Sequence, residues 1–121
     1  KVARAGNRVS DVARATEKHA TKNGYSVARE YTGHGVGKQM WEAPQIPNWW
    51  PRKRNRRYEA ADMELVPGMT IAIEPMVIAG RALLEELDDK WTVIAKDKSL
   101  CAHWEHTIAI TPDDPVILTL P

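Results

Sequence analysis

Two stretches of this chain alternate with the period of a β-strand, and each carries one carboxylate among apolar residues. Across residues 70–77, Ile71 and Ile73 fall on one face and Thr70, Ala72 and Glu74 on the other. Across residues 102–111, Trp104, Ile108 and Ile110 oppose Glu105, Thr107 and Ala109. Such strands bury their isoleucine faces against another layer, which leaves Glu74 and Glu105 on a smaller-residue, polar side. A bare carboxylate is costly to bury unless something pairs with it. Each glutamate therefore needs a cationic partner.

The segments before the strands are expected to be helical. Residues 1–5 read as the tail of a helix ended by Ala5-Gly6-Asn7, with Gly6 free to take the left-handed conformation of a helix terminus. Ser10 is the expected N-cap of a second helix, in which Val12, Ala13, Thr16 and Ala20 fall at helical spacing and Asn23-Gly24 is the stop. Residues 25–31 are strand-like. The glycine-rich segment 33–37 is expected to be too flexible for regular structure, and residues 45–51 to form a loop rich in proline and tryptophan. Five basic residues in six occupy positions 52–57, and Glu59, Asp62 and Glu64 follow. Residues 83–87 are ambiguous. Residues 91–95 predict a strand between turns at Asp88-Asp89 and Asp97-Lys98, and residues 116–120 a short last strand. One or two helices followed by an antiparallel sheet make an α+β arrangement, and 121 residues make one domain, 1–121.

A net charge of +1 creates no global field for nucleic acid. No apolar run approaches the roughly 20 residues that span a bilayer, so no membrane partner is expected. A lone cysteine, Cys101, cannot form an internal disulfide, which points to a reducing, cytoplasmic setting. Its side chain is expected to be packed. The chain begins at Lys1 rather than methionine, as a processed product or a piece of a longer polypeptide does.

A third polar group stands in Gly33-His34-Gly35-Val36-Gly37. A glycine-flanked histidine is compatible with a loop residue or a satisfied structural histidine. The Gly-x-Gly-x-Gly pattern lacks the following lysine and clear helix of a phosphate loop. Taken with Glu74 and Glu105, His34 completes a donor set suited to a borderline-to-hard divalent ion such as Mn, Fe, Co or Zn. Arginine partners would satisfy the two carboxylates equally well, so pattern alone leaves both readings open. Asp88, Asp89, Asp97, Asp113 and Asp114 lie in turns and read as solvated turn formers.

Several segments, in order, resemble the second half of the bacterial-type methionine aminopeptidases. They are Gly24-Tyr25-Ser26-Val27, the 33–37 glycine segment, Glu42-Ala43-Pro44-Gln45-Ile46-Pro47-Asn48, Leu65-Val66-Pro67-Gly68-Met69, Ile73-Glu74-Pro75-Met76, Trp91-Thr92-Val93 and Glu105-His106-Thr107. The resemblance covers nearly the whole chain. It implies half of a pita-bread fold, built in full from two similar α+β halves around a dinuclear metal site, and the removal of initiator methionine from new polypeptides. By resemblance His34 is a metal ligand with a part in catalysis, Glu74 a metal ligand and proton shuttle, and Glu105 a bridge between two divalent ions. Trp91 matches an aromatic residue near the methionine side-chain pocket, Met40 falls where an aromatic pocket residue is common, and Trp41 stands where a second, substrate-contacting histidine is usual. Tryptophan donates one N–H but takes up no proton. The family's two aspartate ligands and another histidine belong to the first half, onto which no residue here maps.

Three functions fit this pattern. The first is the metal-binding half of a methionine aminopeptidase, acting on N-terminal methionyl peptides once completed by a longer parent or a separate chain. The second is a symmetric dimer in which a second copy replaces the missing half. The third is a non-catalytic homologue that binds peptide N-termini or ribosomal RNA. Residues 49–58, with basic residues flanked by aromatics, are the candidate ribosome contact.

Overall fold

The computed structural model describes residues 1–120. The elements are α1 (Val9–Lys22), β1 (Ser26–Val27), β2 (Thr32–Gly35), β3 (Glu42–Pro47), α2 (Arg56–Ala61), β4 (Thr70–Ile73), β5 (Met76–Ile78), β6 (Leu84–Glu86), β7 (Val93–Ala95), β8 (Cys101–His103), β9 (His106–Ala109) and β10 (Val116–Ile117). The main sheet has the order β10-β9-β4-β2-β3, the second β1-β5-β8, and β6-β7 form a separate ribbon. Every pairing is antiparallel. Among the described residues no helix is long and apolar enough to cross a membrane.

Helix α1 covers one face of the main sheet. Its Val9, Val12 and Ala13 pack with Ile46 of β3, Ile71 of β4, Trp50, Leu65 and Ile110 in the principal core. The expected isoleucine face is thus buried, with Ile71 fully enclosed. A smaller core of Ala28, Ile78 and Ala95 lies under the second sheet.

The first turn departs from expectation. Residues 1–7 form turns rather than a helix tail, although Gly6 does take a positive φ of 83°. The N-cap is Arg8, not Ser10, and no side-chain oxygen of Arg8 can serve the free N–H groups. Asp62 supplies that oxygen from the distant end of α2: its Oδ1 accepts from Ser10 N at 2.9 Å and its Oδ2 pairs with Arg8 Nε at 3.2 Å. The cap is partly tertiary; its local element is Asp11, whose Oδ2 accepts the Arg8 backbone N–H at 2.8 Å. The stop at Asn23-Gly24 holds, with Gly24 at φ 81°.

Glycine makes β2 regular instead of flexible. A Cβ on Gly33 would fall inside 3.0 Å of the Ala72 carbonyl oxygen, and one on Gly35 inside 3.0 Å of the Ala43 carbonyl oxygen. Only a bare backbone fits between β3 and β4 there. Residues 45–47 likewise belong to β3 rather than a loop. Of residues 25–31 only Ser26–Val27 is strand, and α2, capped by Asn55, was not expected. Cys101 is exposed rather than packed, because β8 is an edge strand with a neighbour on one side only.

Candidate metal centre

Each of the two predicted long strands breaks once, and the breaks face each other. Residues 70–77 divide at Glu74-Pro75 into β4 and β5; residues 102–111 divide at Trp104-Glu105 into β8 and β9. The β4–β9 register pairs Ile73 with His106, and the β5–β8 register pairs Met76 with His103. Carried through the break, this register sets Glu74 opposite Glu105 and Pro75 opposite Trp104. The ribbon passes from one sheet to the other at this point. Two like charges directly opposite each other are destabilising unless a cation lies between them.

His34 reaches the same place from β2, where it pairs with Ala72 of β4. Pairing partners share a sheet face, and Glu74 lies two residues on from Ala72. The small Ala72 side chain leaves room above the sheet. One ligand atom each of His34, Glu74 and Glu105 lie within 4.8 Å of one another. The His34 and Glu74 side chains are only 15% and 12% exposed, whereas Glu105 is open to solvent.

The tautomer of His34 carries the chemical argument. Its Nδ1 lies 2.9 Å from the Gly35 carbonyl oxygen. A carbonyl only accepts, so Nδ1 carries the proton and donates. In the neutral ring Nε2 then presents a lone pair, and it sits 3.3 Å from Glu74 Oε1. With Nε2 unprotonated, two electron-rich atoms face each other with a second carboxylate opposite, an arrangement that a cation among them would satisfy. Among the described residues the salt bridges made by lysine and arginine do not involve Glu74 or Glu105. The arginine alternative therefore finds no support, and the donor set fits a divalent cation.

A cleft of about 530 Å³ opens beside these groups, lined by Tyr31, His34, Trp41, Gln45, Glu74 and Met76 among others. Trp41 stands edge-on to His34, with ring centroids 6.1 Å apart. Met40 and Trp91 are exposed, and neither lines the cleft. Trp91 is 88% exposed in the turn before β7, where Asp89 Oδ1 accepts its backbone N–H at 3.1 Å.

One residue at this site escaped the sequence reading. His103 Nε2 lies 3.3 Å from Glu74 Oε2, the oxygen that His34 leaves free. The signal was available: His103 precedes Glu105 by two positions, the period of one strand face. The break at Trp104-Glu105 hid it.

Outside the cleft, the aromatic residues of 49–58 are engaged within the fold. Arg29 lies over Trp49 at 4.7 Å, Trp50 is buried, and Tyr58 packs edge-on to both rings. Arg54 pairs with Glu59.

The fold agrees with that of similar proteins. Methionine aminopeptidase 1 of Bacillus subtilis is 45% identical over 117 residues, covering 97% of this chain and 44% of the relative. The Escherichia coli K12 methionine aminopeptidase is 42% identical over 115 residues, covering 95% and 41%. Among solved structures, the methionine aminopeptidase of Thermotoga maritima superposes with a TM-score of 0.84 at 41% identity, over 96% of this chain and 44% of that one. The chain thus spans somewhat less than half the length of these relatives, and its α+β fold is that of half a pita-bread domain. Residues 1–112 match the family described as metallopeptidase family M24, to which this chain belongs.

Proposed function

We propose that residues 1–121 are the C-terminal half of a methionine aminopeptidase domain, and that His34, Glu74 and Glu105 are its share of a divalent metal site. The observation that carries this reading is the convergence of His34, Glu74 and Glu105, with His34 Nε2 turned on Glu74 and Glu105 set opposite Glu74 in the ribbon. A bound divalent ion (Mn, Fe, Co or Zn, two of them when the site is complete) supplies a water of lowered pKa and polarises the scissile carbonyl. Glu74, shielded in the cleft, holds and returns the proton. Trp41 at the mouth of the cleft can donate its indole N–H to a substrate carbonyl but cannot relay a proton, which lowers turnover. Exposed Met40 and Trp91 reach the methionine side chain of an N-terminal peptide only when the remainder of the domain covers them. The work is cytoplasmic, on newly made polypeptides. Ribosome contact through 49–58 would rest on the exposed basic residues 52–57, since Trp50 is buried and Trp49 and Tyr58 pack against each other.

The test combines binding and turnover. The purified chain is titrated with Mn²⁺ or Co²⁺ by calorimetry, and hydrolysis of a Met-Ala-Ser peptide is followed with the same ions and with EDTA. Metal binding that disappears in His34→Ala and Glu105→Gln is expected, with negligible methionine release until the missing half is supplied. Absence of metal binding in the folded chain would refute the metal site. Release at the rate of a complete enzyme would refute the half-domain reading.

A further inference from the structure

We propose that Trp104, His106 and Thr119 form a side-chain clamp that positions Glu105 for its cation; the inference rests on the metal reading given above for what Glu105 binds. The two glutamates stand at matching strand breaks but are held by different means. On the β4–β5 side, Pro75 follows Glu74 and locks a backbone dihedral at the break. His34 and His103 also flank the Glu74 carboxylate, each at 3.3 Å. On the β8–β9 side no proline stands at the break. Glu105 is exposed, and among the described residues no ion pair to a lysine, arginine or histidine holds it. One backbone bond reaches across, from Trp104 N to the Pro75 oxygen, and it is long at 3.4 Å. The direction of Glu105 must be set by its neighbours.

Those neighbours are tied to each other and to the last strand. The Trp104 and His106 rings meet edge-on with centroids 5.9 Å apart, and Trp104 Nε1 lies 3.0 Å from His106 Nε2. An indole N–H only donates, so His106 Nε2 accepts and the neutral ring carries its proton on Nδ1. Nδ1 then donates to Thr119 Oγ1 at 2.9 Å. The same oxygen accepts the Thr107 backbone N–H at 3.1 Å, and Leu118 N donates to the Thr107 carbonyl oxygen at 2.8 Å. Thr119 is itself anchored, because β10 pairs with β9 through Val116–Ala109 and Ile117–Ile108. The relay from Trp104 to Thr119 thus has one direction, and the threonine hydroxyl is where it ends. With the side chains of 104 and 106 joined on one side of the backbone, the side chain between them is turned to the other, where Glu105 converges with His34 and Glu74. Trp104, His106 and Thr119 are positioning residues: they act on the ion only through Glu105.

The experiment measures metal binding rather than turnover. Co²⁺ is titrated into the intact chain and its Thr119→Val, Thr119→Ser, Trp104→Phe and Glu105→Gln variants, with visible absorption reporting the coordination environment and chelator competition giving dissociation constants. Circular dichroism confirms the fold of each, and hydrogen exchange at the Trp104 amide reports opening of the break without metal. Valine keeps the shape of threonine and removes the hydroxyl, whereas serine keeps the hydroxyl. We expect Thr119→Val and Trp104→Phe to weaken Co²⁺ binding about fivefold, to alter the Co²⁺ spectrum and to speed exchange at Trp104, and Thr119→Ser to stay within about twofold of the intact chain. Unchanged Co²⁺ affinity and spectrum in Thr119→Val and Trp104→Phe, with binding lost in Glu105→Gln, would overturn the clamp and leave the metal site standing. A Thr119→Ser variant as weak as Thr119→Val would overturn it too. Failure of the intact chain to bind Co²⁺ would instead bring down the metal reading; exchange at Trp104 then decides the clamp by itself, and equal rates in Thr119→Val and Thr119→Ser would overturn it.

Discussion

Replacing Gly33 by alanine should be among the most damaging single-methyl changes available to this protein. Gly33 has no positive φ, so alanine meets no conformational penalty and should even gain slightly through the unfolded chain. The cost is contact. The new Cβ falls inside 3.0 Å of the Ala72 oxygen, at 3.2 Å from the Ala72 carbonyl carbon and at 3.3 Å from Ile46 Cβ. Two of these atoms are backbone of the central strand, and Ile46 is buried in the principal core, so none can swing aside. Relief requires β2 to lift from β4. Overpacking of this kind costs about 1–3 kcal/mol, and weakening the short β2–β4 ladder adds roughly 1 kcal/mol. A loss of about 3 kcal/mol lowers Tm by roughly 12 °C in a chain of this size. Two companion variants separate contact from conformation. Gly24→Ala has open space but φ of 81°, and should cost about 1 kcal/mol. Gly37→Ala meets only the carboxylate end of Glu42, which can rotate away, and should cost about 0.5 kcal/mol or less. Thermal melts followed by circular dichroism would rank the three. If Gly33→Ala melts within about 3 °C of the unmodified chain, or Gly24→Ala proves the worse variant, the reasoning from close approach fails.

Asp62→Ala should destabilise α1 by about 1–2 kcal/mol, since Ser10 N loses its acceptor and Arg8 its partner; a urea midpoint unchanged from the unmodified chain would show that the tertiary cap contributes nothing. Asp97 accepts from Arg81 N, from the Ser99 hydroxyl and from Ser99 N, which together hold its pKa down to about 2 from 3.8. A carboxylate with a depressed folded-state pKa contributes stability above its unfolded value and loses it as pH falls through the folded one. Asp97→Asn should therefore be the less stable protein near neutrality, with the gap closing between about pH 4 and pH 2; a gap independent of pH would contradict the assignment.

The sequence declares some parts of this fold and conceals others for physical reasons. Helix α1 was legible from Val12, Ala13, Thr16 and Ala20, because one apolar stripe suffices to predict it. β4 and β9 were legible from strict alternation, and the same alternation made Glu74 and Glu105 conspicuous. β2 was not legible. Glycine has poor intrinsic strand propensity, and its fitness here depends on the Ala72 and Ala43 carbonyls that only the folded sheet brings near. The part of the α1 cap that serves Ser10 N was hidden because its oxygen comes from 52 residues away. The paired breaks at Glu74-Pro75 and Trp104-Glu105 were hidden in a pattern that reads as two unbroken strands, and His103 with them.

The strand order β10-β9-β4-β2-β3 also bears on how fast this chain can become itself. The central strand is sandwiched between partners from opposite ends: Ala72 pairs with His34 on one side and with Thr107 on the other. Sheets joined by such distant segments pay loop-closure entropy before any contact rewards it, and they fold slowly. During synthesis at about 5–20 residues per second, several seconds pass between the emergence of His34 and that of Glu105. For about the second half of that interval, after β4 emerges and before β9 follows, β4 has an unfilled edge. Chaperone dependence and a lag before the first bound metal ion should follow from topology alone, whatever the final stability of the folded chain.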